Sequence, residues 1–469
     1  MKAWHRLLLT LLLWVELEGA VVMANCIVTD PEYGDTGRCV CPANVLQKPL
    51  QMMMCMQMSE LELQDGVLQL DSKYLSFQGS DEIGALALLP LERILLTRVR
   101  IPGVFLSTLL NTLPRTEVHQ FDLTDTTLEA LPHPPNPTEP CPVTSLRMDR
   151  VTFDPSLLRP PMHPLNAWLL SSLTHLTLRA VPGGLSLGNE ACATIAMLAN
   201  VTELDLSENS LTDESLVDLS RCLSSSVPPV SSLGLSVLRL GQNQVRSLEG
   251  LCPLLRASPN LTELDLSQNS LDGSAFGSAC LNSTGQLKTL NLSSTGIQTA
   301  VGLVPAGVEV LDLSGNRLRE FRNPPEGLRE LYLSNNHLSL LPDLTGASQL
   351  QLLSLDGNRL TDLSGETSFR LVLDRLLELR VGRNPFTCGC EVIKSVELLR
   401  GNRNKVLDWP DDFLCTPLAS NSTTLRLEDL DLTNCDQAVD ETSSSGMKMN
   451  VNVALCMSVV VVAVTAILE

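Results

Sequence analysis

The chemistry on offer in this 469-residue chain begins with its fourteen cysteines. Cys26, Cys39, Cys41 and Cys55 lie near the N-terminus, and Cys388, Cys390, Cys415 and Cys435 near the C-terminus. Thiols so grouped either pair as disulfides or hold zinc. Paired zinc ligands usually stand wider apart than Cys-x-Cys, so disulfides are expected, and neither metal nor cofactor is. Spacing alone leaves their connectivity open. Five Asn-x-Ser/Thr glycan acceptors, at Asn200, Asn260, Asn282, Asn291 and Asn421, point to the same oxidising secretory compartment. His119, His133, His163, His175 and His337 are scattered, with no His-Glu-x-x-His, nucleophile elbow or phosphate loop, so no enzyme is expected.

Both ends carry processing patterns. Lys2, His5 and Arg6 precede the apolar run Leu7 to Val15, and small residues follow at Gly19, Ala20 and Ala24. This is the pattern of a secretory signal peptide over 1–24, with Gly19 or Ala20 as alternative cleavage points. At the other end, a linker over 437–446 contains Ser443-Ser444-Ser445-Gly446. A short polar spacer and the apolar run Val453 to Leu468 follow, with no basic cluster after them. Small residues, spacer and apolar tail match a glycosylphosphatidylinositol attachment signal, with Ser444 as the anchor residue and 447–469 removed. A single spanning helix is the alternative. The expected location is the extracellular face of the plasma membrane, with a secreted form in addition.

The formal charge is −20, and 44% of residues are hydrophobic. Nothing so acidic neutralises phosphates along a groove, which argues against nucleic acid. With only nine Phe, four Trp and three Tyr, a core must be made of leucine.

Leucine recurs in a register. The pattern L-x-x-L-x-L-x-x-N fits from Val201, Leu235, Leu261, Val308, Leu328, Leu350 and Leu376, and from Leu287 with Thr in place of Asn. Weaker copies begin at Met58, Leu91, Val118, Val143 and Leu173, so thirteen starts stand 20 to 34 residues apart. This is the leucine-rich repeat. Each L-x-L is a short parallel strand that turns its leucines inward and the intervening residue outward. One repeat cannot bury its own leucines, so neighbours stack and the ends need caps. The expected fold is an α/β leucine-rich-repeat solenoid, a horseshoe with parallel strands on its concave face and disulfide-bonded caps at both ends. The caps fall at 25–57 and 388–436, with about thirteen repeats over 58–387. The 20- to 22-residue spacings between Leu287 and Leu350 leave room only for extended segments on the outer side, whereas the longer ones admit short helices. Asn291 is an outward strand residue, so a glycan there would obstruct part of the concave face. Asp122, Asp205, Asp265 and Asp312 occupy the same outward position and form an acidic stripe, more often a solvated face than a protein-binding one.

The N-terminal cap carries a resemblance. Cys26, Cys39-Val-Cys41, Cys55 and then Ser59-Glu-Leu-Glu-Leu63 are similar to the start of the monocyte differentiation antigen family, the anchored co-receptors for bacterial lipopolysaccharide. That resemblance implies disulfides Cys26–Cys41, Cys39–Cys55, Cys192–Cys222 and Cys252–Cys280. The C-terminal run Cys388-Gly-Cys390, with Asp408-Trp-Pro410 and Phe413-Leu-Cys415, resembles instead the cap of a Toll-like receptor ectodomain, implying Cys388–Cys415 and Cys390–Cys435. Cys141 is left without an obvious partner.

The same resemblance implies a pocket for acyl chains beside the N-terminal cap, over about 61–110. Its lining would be Leu61, Leu63, Leu68, Leu70, Tyr74, Phe77, Leu89, Leu95, Val99, Ile101, Phe105, Leu106 and Leu109. Two features of the residues themselves agree. Leu95 is apolar at an outward position that is usually polar elsewhere, and the spacing from Met58 to Leu91 is 33 residues. Ordinary core is the competing reading of many of these side chains. Arg93, Arg98, Arg100 and Arg115 add a local basic cluster, of which Arg93, Arg98 and Arg100 are candidates for lipid head-group phosphates. The chain is therefore expected to capture lipopolysaccharide and lipopeptides, receive them from a serum lipid-transfer protein, and pass them to a Toll-like receptor complex. The alternative is an adhesion protein that binds other proteins along its concave face.

Overall fold

A computed structural model describes residues 27–29, 38–42, 60–67, 91–130, 140–153, 171–182, 200–218, 234–271, 280–281, 284–363, 367–407, 409–416 and 424–430. The chain divides into two compact units, Met1–Gly296 with Gly302–Gly307, and Ile297–Val301 with Val308–Glu469.

The first unit opens with an antiparallel pair, β1 (Ile27–Thr29) and β2 (Arg38–Pro42). From β2 onward every neighbour is parallel. The order runs through β3 (Glu60–Val67), β4 (Arg93–Ile101) and β5 (Gln120–Thr124), with β6 (Thr127–Leu128) on the far end of β4. It continues with β7 (Ser145–Asp149), β8 (His175–Arg179), β9 (Glu203–Asp205), β10 (Val237–Arg239), β11 (Glu263–Asp265) and β12 (Thr289–Asn291). The second unit holds β13 (Val310–Asp312), β14 (Glu330–Tyr332), β15 (Leu352–Ser354) and β16 (Glu378–Arg380), also parallel. Every one of the thirteen repeat starts is followed by one of these strands. The fold is the leucine-rich repeat.

Register explains why. Leu61, Ile94, Phe121, Leu146, Leu176, Leu204, Leu238, Leu264 and Leu290 stand side by side across the first unit and are buried. Leu311, Leu331, Leu353 and Leu379 do the same in the second. Each buried leucine contributes about 2 kcal/mol against exposure.

The repeat asparagines close the turns. Asn209, Asn243, Asn269, Asn316, Asn336, Asn358 and Asn384 are all buried. Asn269 typifies them: its amide donates to Leu240 O and Leu266 O at 2.9 Å, and its Oδ1 accepts the Val245 N–H at 3.0 Å. Where the residue is Thr, hydroxyl and backbone share the role: Thr295 Oγ1 donates to Leu292 O at 2.8 Å and Thr126 Oγ1 to Leu96 O at 3.1 Å. Thr295 offers its main-chain carbonyl to the Leu271 N–H at 3.1 Å. Val99, Thr126 and Val151 occupy the position in the weaker N-terminal repeats, and strands there run to nine and five residues against three elsewhere. A continued ladder satisfies amides that an asparagine would otherwise serve.

Repeat length sets the outer side. The 27-residue repeat from Leu91 carries α1 (Gly103–Thr112), and the 26-residue repeats from Leu235 and Leu350 carry α2 (Cys252–Ala257) and α3 (Thr367–Leu373). Residues 287–350 contain no helix. The C-terminal cap consists of α4 (Ile393–Gly401) and a three-stranded sheet of β17 (Phe386–Thr387), β18 (Leu414–Thr416) and β19 (Leu425–Arg426). Cys388–Cys415 ties the cap, and Phe413 packs between Phe386 and Trp409 at centroid distances of 5.9 and 4.8 Å.

Of the other cysteines, Cys252 and Cys280 form a disulfide, as the resemblance implied. Cys39, Cys41 and Cys390 are each disulfide-bonded, and the Cys39 and Cys41 sulfurs stand 3.8 Å apart without joining each other. Cys26, Cys55, Cys192, Cys222 and Cys435 lie outside the described residues, as does Ser444. Cys141 is free and buried, and burial pushes its thiol pKa up.

Candidate ligand-binding region

The site expected beside the N-terminal cap is carried by β3, β4 and β5 and by α1. On β4, Ile94, Leu96, Val99 and Ile101 point into the core, and α1 presses Phe105, Leu106, Leu109 and Leu110 into it as well. Of the thirteen proposed lining residues, Leu61, Leu63, Val99, Ile101, Phe105, Leu106 and Leu109 are each at most 3% exposed. Strand alternation and the inner face of α1 direct these side chains into the core. Leu68, Leu70, Tyr74, Phe77 and Leu89 lie outside the described residues.

Leu95 differs. It faces away from the core, in register with Glu62 on one side and Asp122 on the other, and is half-buried. The outward column of the first unit reads Val40, Glu62, Leu95, Asp122, Arg147, Thr177, Asp205, Arg239, Asp265 and Asn291, in which only Val40 and Leu95, both at the N-terminal end, are apolar. Glu62, although on this open face, is only 4% exposed, and its Oε1 accepts from Gln64 Nε2 at 2.5 Å. Sequence reasoning missed it because an acidic residue at an outward position reads as solvated.

The arginines proposed for head groups are engaged with carboxylates. Arg93 Nε donates to Asp122 Oδ2 at 2.8 Å, its Nη2 makes a second contact there, and Glu60 stands 3.5 Å away. Burial works against the Arg93 charge, but bonding and attraction from Asp122 and Glu60 outweigh it and raise the guanidinium pKa. Arg100 Nε donates to Glu129 Oε1 at 2.8 Å. Arg98 is exposed in a left-handed conformation (φ 54°). Asp125 is held below the usual carboxylate range chiefly by bonds from Arg150, with a smaller pull from Arg98. The local sequence contains one nearby acid, Glu92, whereas Glu60, Asp122 and Glu129 arrive from elsewhere in the fold. The basic cluster expected here is thus largely a set of ion pairs, Arg93 with Asp122 and Glu60 and Arg100 with Glu129.

Similar pairs run further along the sheet. Arg150 bonds Asp125 and Asp149, Arg179 bonds Glu208, and Arg239 lies 2.7 Å from Glu263 and 3.9 Å from Glu203. The acidic stripe also has a structural account. Oδ1 of Asp205, Asp265 and Asp312 accepts the N–H of Ser207, Ser267 and Ser314 at 2.9, 2.8 and 2.8 Å, closing the turn after each strand. Among the described residues no His, Cys, Asp and Glu group is arranged to hold a metal ion.

The acceptor asparagines fall in different places. Asn200 and Asn260 are exposed at strand entries, Asn291 is half-buried in the outward column, and Asn282 and Asn421 lie outside the described residues.

Comparison with known proteins agrees with this architecture. A Leucine Rich Repeat family model matches residues 200–229, 260–280 and 327–347. With the fold and its asparagine-closed turns, the chain is a leucine-rich-repeat protein. Its similarity narrows further: Toll-like receptor 2 of Boselaphus tragocamelus is 34% identical over 251 residues, which is 53% of this chain and 30% of that receptor. Human Toll-like receptor 2 is 34% identical over 226 residues, covering 48% and 27%. The chain is related to Toll-like receptors over about half its length and spans under a third of theirs. Among solved structures, that of the mouse RP105/MD-1 complex aligns with TM-score 0.53 and 20% identity, over 80% of this chain and 62% of that one, a likeness of fold.

Proposed function

We propose that this chain is an innate-immune receptor of the extracellular face that captures microbial lipids, lipopolysaccharide and lipopeptides among them, and hands them to a Toll-like receptor complex. A serum lipid-transfer protein is its supplier, and a lipid anchor holds it on the membrane. The observation that carries the reading is the 34% identity to Toll-like receptor 2 across 251 residues. Leu95 supports the location: with Val40 it puts an apolar side chain on the outward sheet face beside the N-terminal cap, where the column is otherwise polar. Arg93, Arg98 and Arg100 are the cations proposed to meet a phosphate there, Arg93 and Arg100 by exchanging their present carboxylate partners. Among the described residues no helix is long and apolar enough to cross a membrane.

Direct binding of the secreted chain to labelled lipopolysaccharide, with lipopeptide as competitor, tests this. L95R lowers affinity at least tenfold, about 1.4 kcal/mol, without lowering the melting temperature. R98E weakens phosphorylated lipid more than a non-phosphorylated lipopeptide. Lipid binding indifferent to L95R removes the site. The ion-paired face from β7 to β11 favours the second reading, a protein partner held along the sheet, which L95R leaves intact.

A further inference from the structure

Asn291 is the outward residue whose identity the fold does not account for. Strands β9, β11, β12 and β13 end at Asp205, Asp265, Asn291 and Asp312, and each is followed by Leu-Ser. In all four, Oδ1 accepts the N–H two residues on, at 2.9, 2.8, 3.0 and 2.8 Å. The turn uses one oxygen, which aspartate supplies equally well. Exchanging Asp for Asn in this frame leaves the turn unchanged and creates Asn-Leu-Ser, a glycan acceptor. Register with Asp265 places the side chain on the open sheet face.

The exposed acceptors contrast with it. Thr202 and Thr262, which complete the acceptors of Asn200 and Asn260, belong to a ladder of hydroxyls along the strand entries. Thr174, Thr202, Ser236 and Thr262 each donate to the main-chain carbonyl of the preceding member at 3.0 to 3.1 Å, starting from Thr144 O. Asn200 Nδ2 donates to Ser171 O at 2.8 Å. Packing therefore explains Asn200, Thr202 and Thr262 without a glycan, and does not explain the amide of Asn291.

We propose that Asn291 carries an N-linked oligosaccharide that stands on the open sheet face over β11 and β12. The donor is a lipid-diphosphate oligosaccharide of the secretory lumen. Nδ2 bonds to its anomeric carbon, the glycosidic C–O bond to the diphosphate breaks, and the amide gives up one proton as the lipid diphosphate leaves. The acceptor is modified as the chain enters the lumen, and the open face then accommodates the product. Partners too large to pass the sugar are confined to strands nearer the N-terminus. This rests on the extracellular part of the proposed function and is independent of which ligand binds.

The test is enzymatic deglycosylation in heavy-oxygen water of the full chain made in animal cells, followed by peptide mass spectrometry. A heavy aspartate at position 291 in most molecules is expected. An unmodified Asn291 on a chain glycosylated at other acceptors overturns this inference alone, whereas a chain bare at every acceptor and retained inside the cell overturns the extracellular reading with it. N291D provides the second measurement: it loses one glycan in mass and melts as S293A does, which lacks the acceptor but keeps the Asn291 amide, because Asp keeps the turn. A destabilised N291D shows the amide to be structural and removes the argument.

Discussion

Asn243 offers a quantitative probe of how the repeats are held together. Its Oδ1 accepts the N–H groups of Asn209 and Leu211 at 3.0 and 2.9 Å, and its Nδ2 donates to the carbonyls of Leu206, Leu240 and Gly241 at 3.1, 2.9 and 3.2 Å. N243A removes all five. The carbonyls keep other donors: Leu206 O has Asn209 Nδ2, Leu240 O has Asn269 Nδ2, and Gly241 O has the Glu208 N–H. The two N–H groups are left buried without that acceptor, at about 1–3 kcal/mol each. The expected loss is about 3–4 kcal/mol. N243D keeps the acceptor but turns a charged oxygen toward three carbonyls, so it costs at least as much at neutral pH. Hydrogen exchange read by mass spectrometry is the assay, because stacked repeats lose stability locally. Protection of the Asn209 and Leu211 amides falls by about two to three decades, while the Thr144 amide, bonded to His119 O at 2.9 Å, keeps its own. Wild-type protection at Asn209 and Leu211 in N243A refutes the reasoning.

Three further perturbations follow from the same geometry. Asp356 is held below the usual carboxylate range: burial opposes this, but hydrogen bonds from Ser334 and Ser354 and the charge of Arg383 prevail. A depressed folded pKa stabilises above the unfolded value of about 3.9 and ceases to do so below the folded one, so the stability gap between wild type and D356N is constant above about pH 5 and closes as pH falls through the acid range; acid titration monitored by circular dichroism checks it. Replacing both Cys252 and Cys280 by alanine opens a link spanning 28 residues, a loss of about 3–4 kcal/mol in the chain-entropy account, readable as a lowered urea midpoint in that region's exchange. R93M leaves Asp122, 8% exposed, without its main cation; about 1–3 kcal/mol is lost, and D122N partly restores it, as a double-mutant melting cycle measures.

The repeat frame was legible because its signal is periodic and redundant. Leu204, Leu264 and Leu331 each sit where L-x-L places them, and the helix-free span after Leu287 follows from spacings too short to contain a helix. The Cys252–Cys280 and Cys388–Cys415 pairs, implied by resemblance, are formed. The candidate site was less legible. Phe105 and Leu106 are apolar in a region that spacing marks as irregular, yet those properties belong equally to a core helix, and α1 makes them core. Leu95 could be singled out because strand alternation alone puts it outward.

What the sequence determined by itself was which way each side chain points, since two-residue alternation along a strand needs no knowledge of its neighbours. Which side chains meet was decided only by stacking. Arg93 finds Asp122, Arg150 finds Asp125 and Arg179 finds Glu208 across 25 to 29 residues of chain, because parallel register brings successive repeats to about 4.8 Å. A stretch that looks basic along the chain becomes paired across it. The balance of charge on the open face is therefore a property of the stacked sheet, and no single repeat carries it.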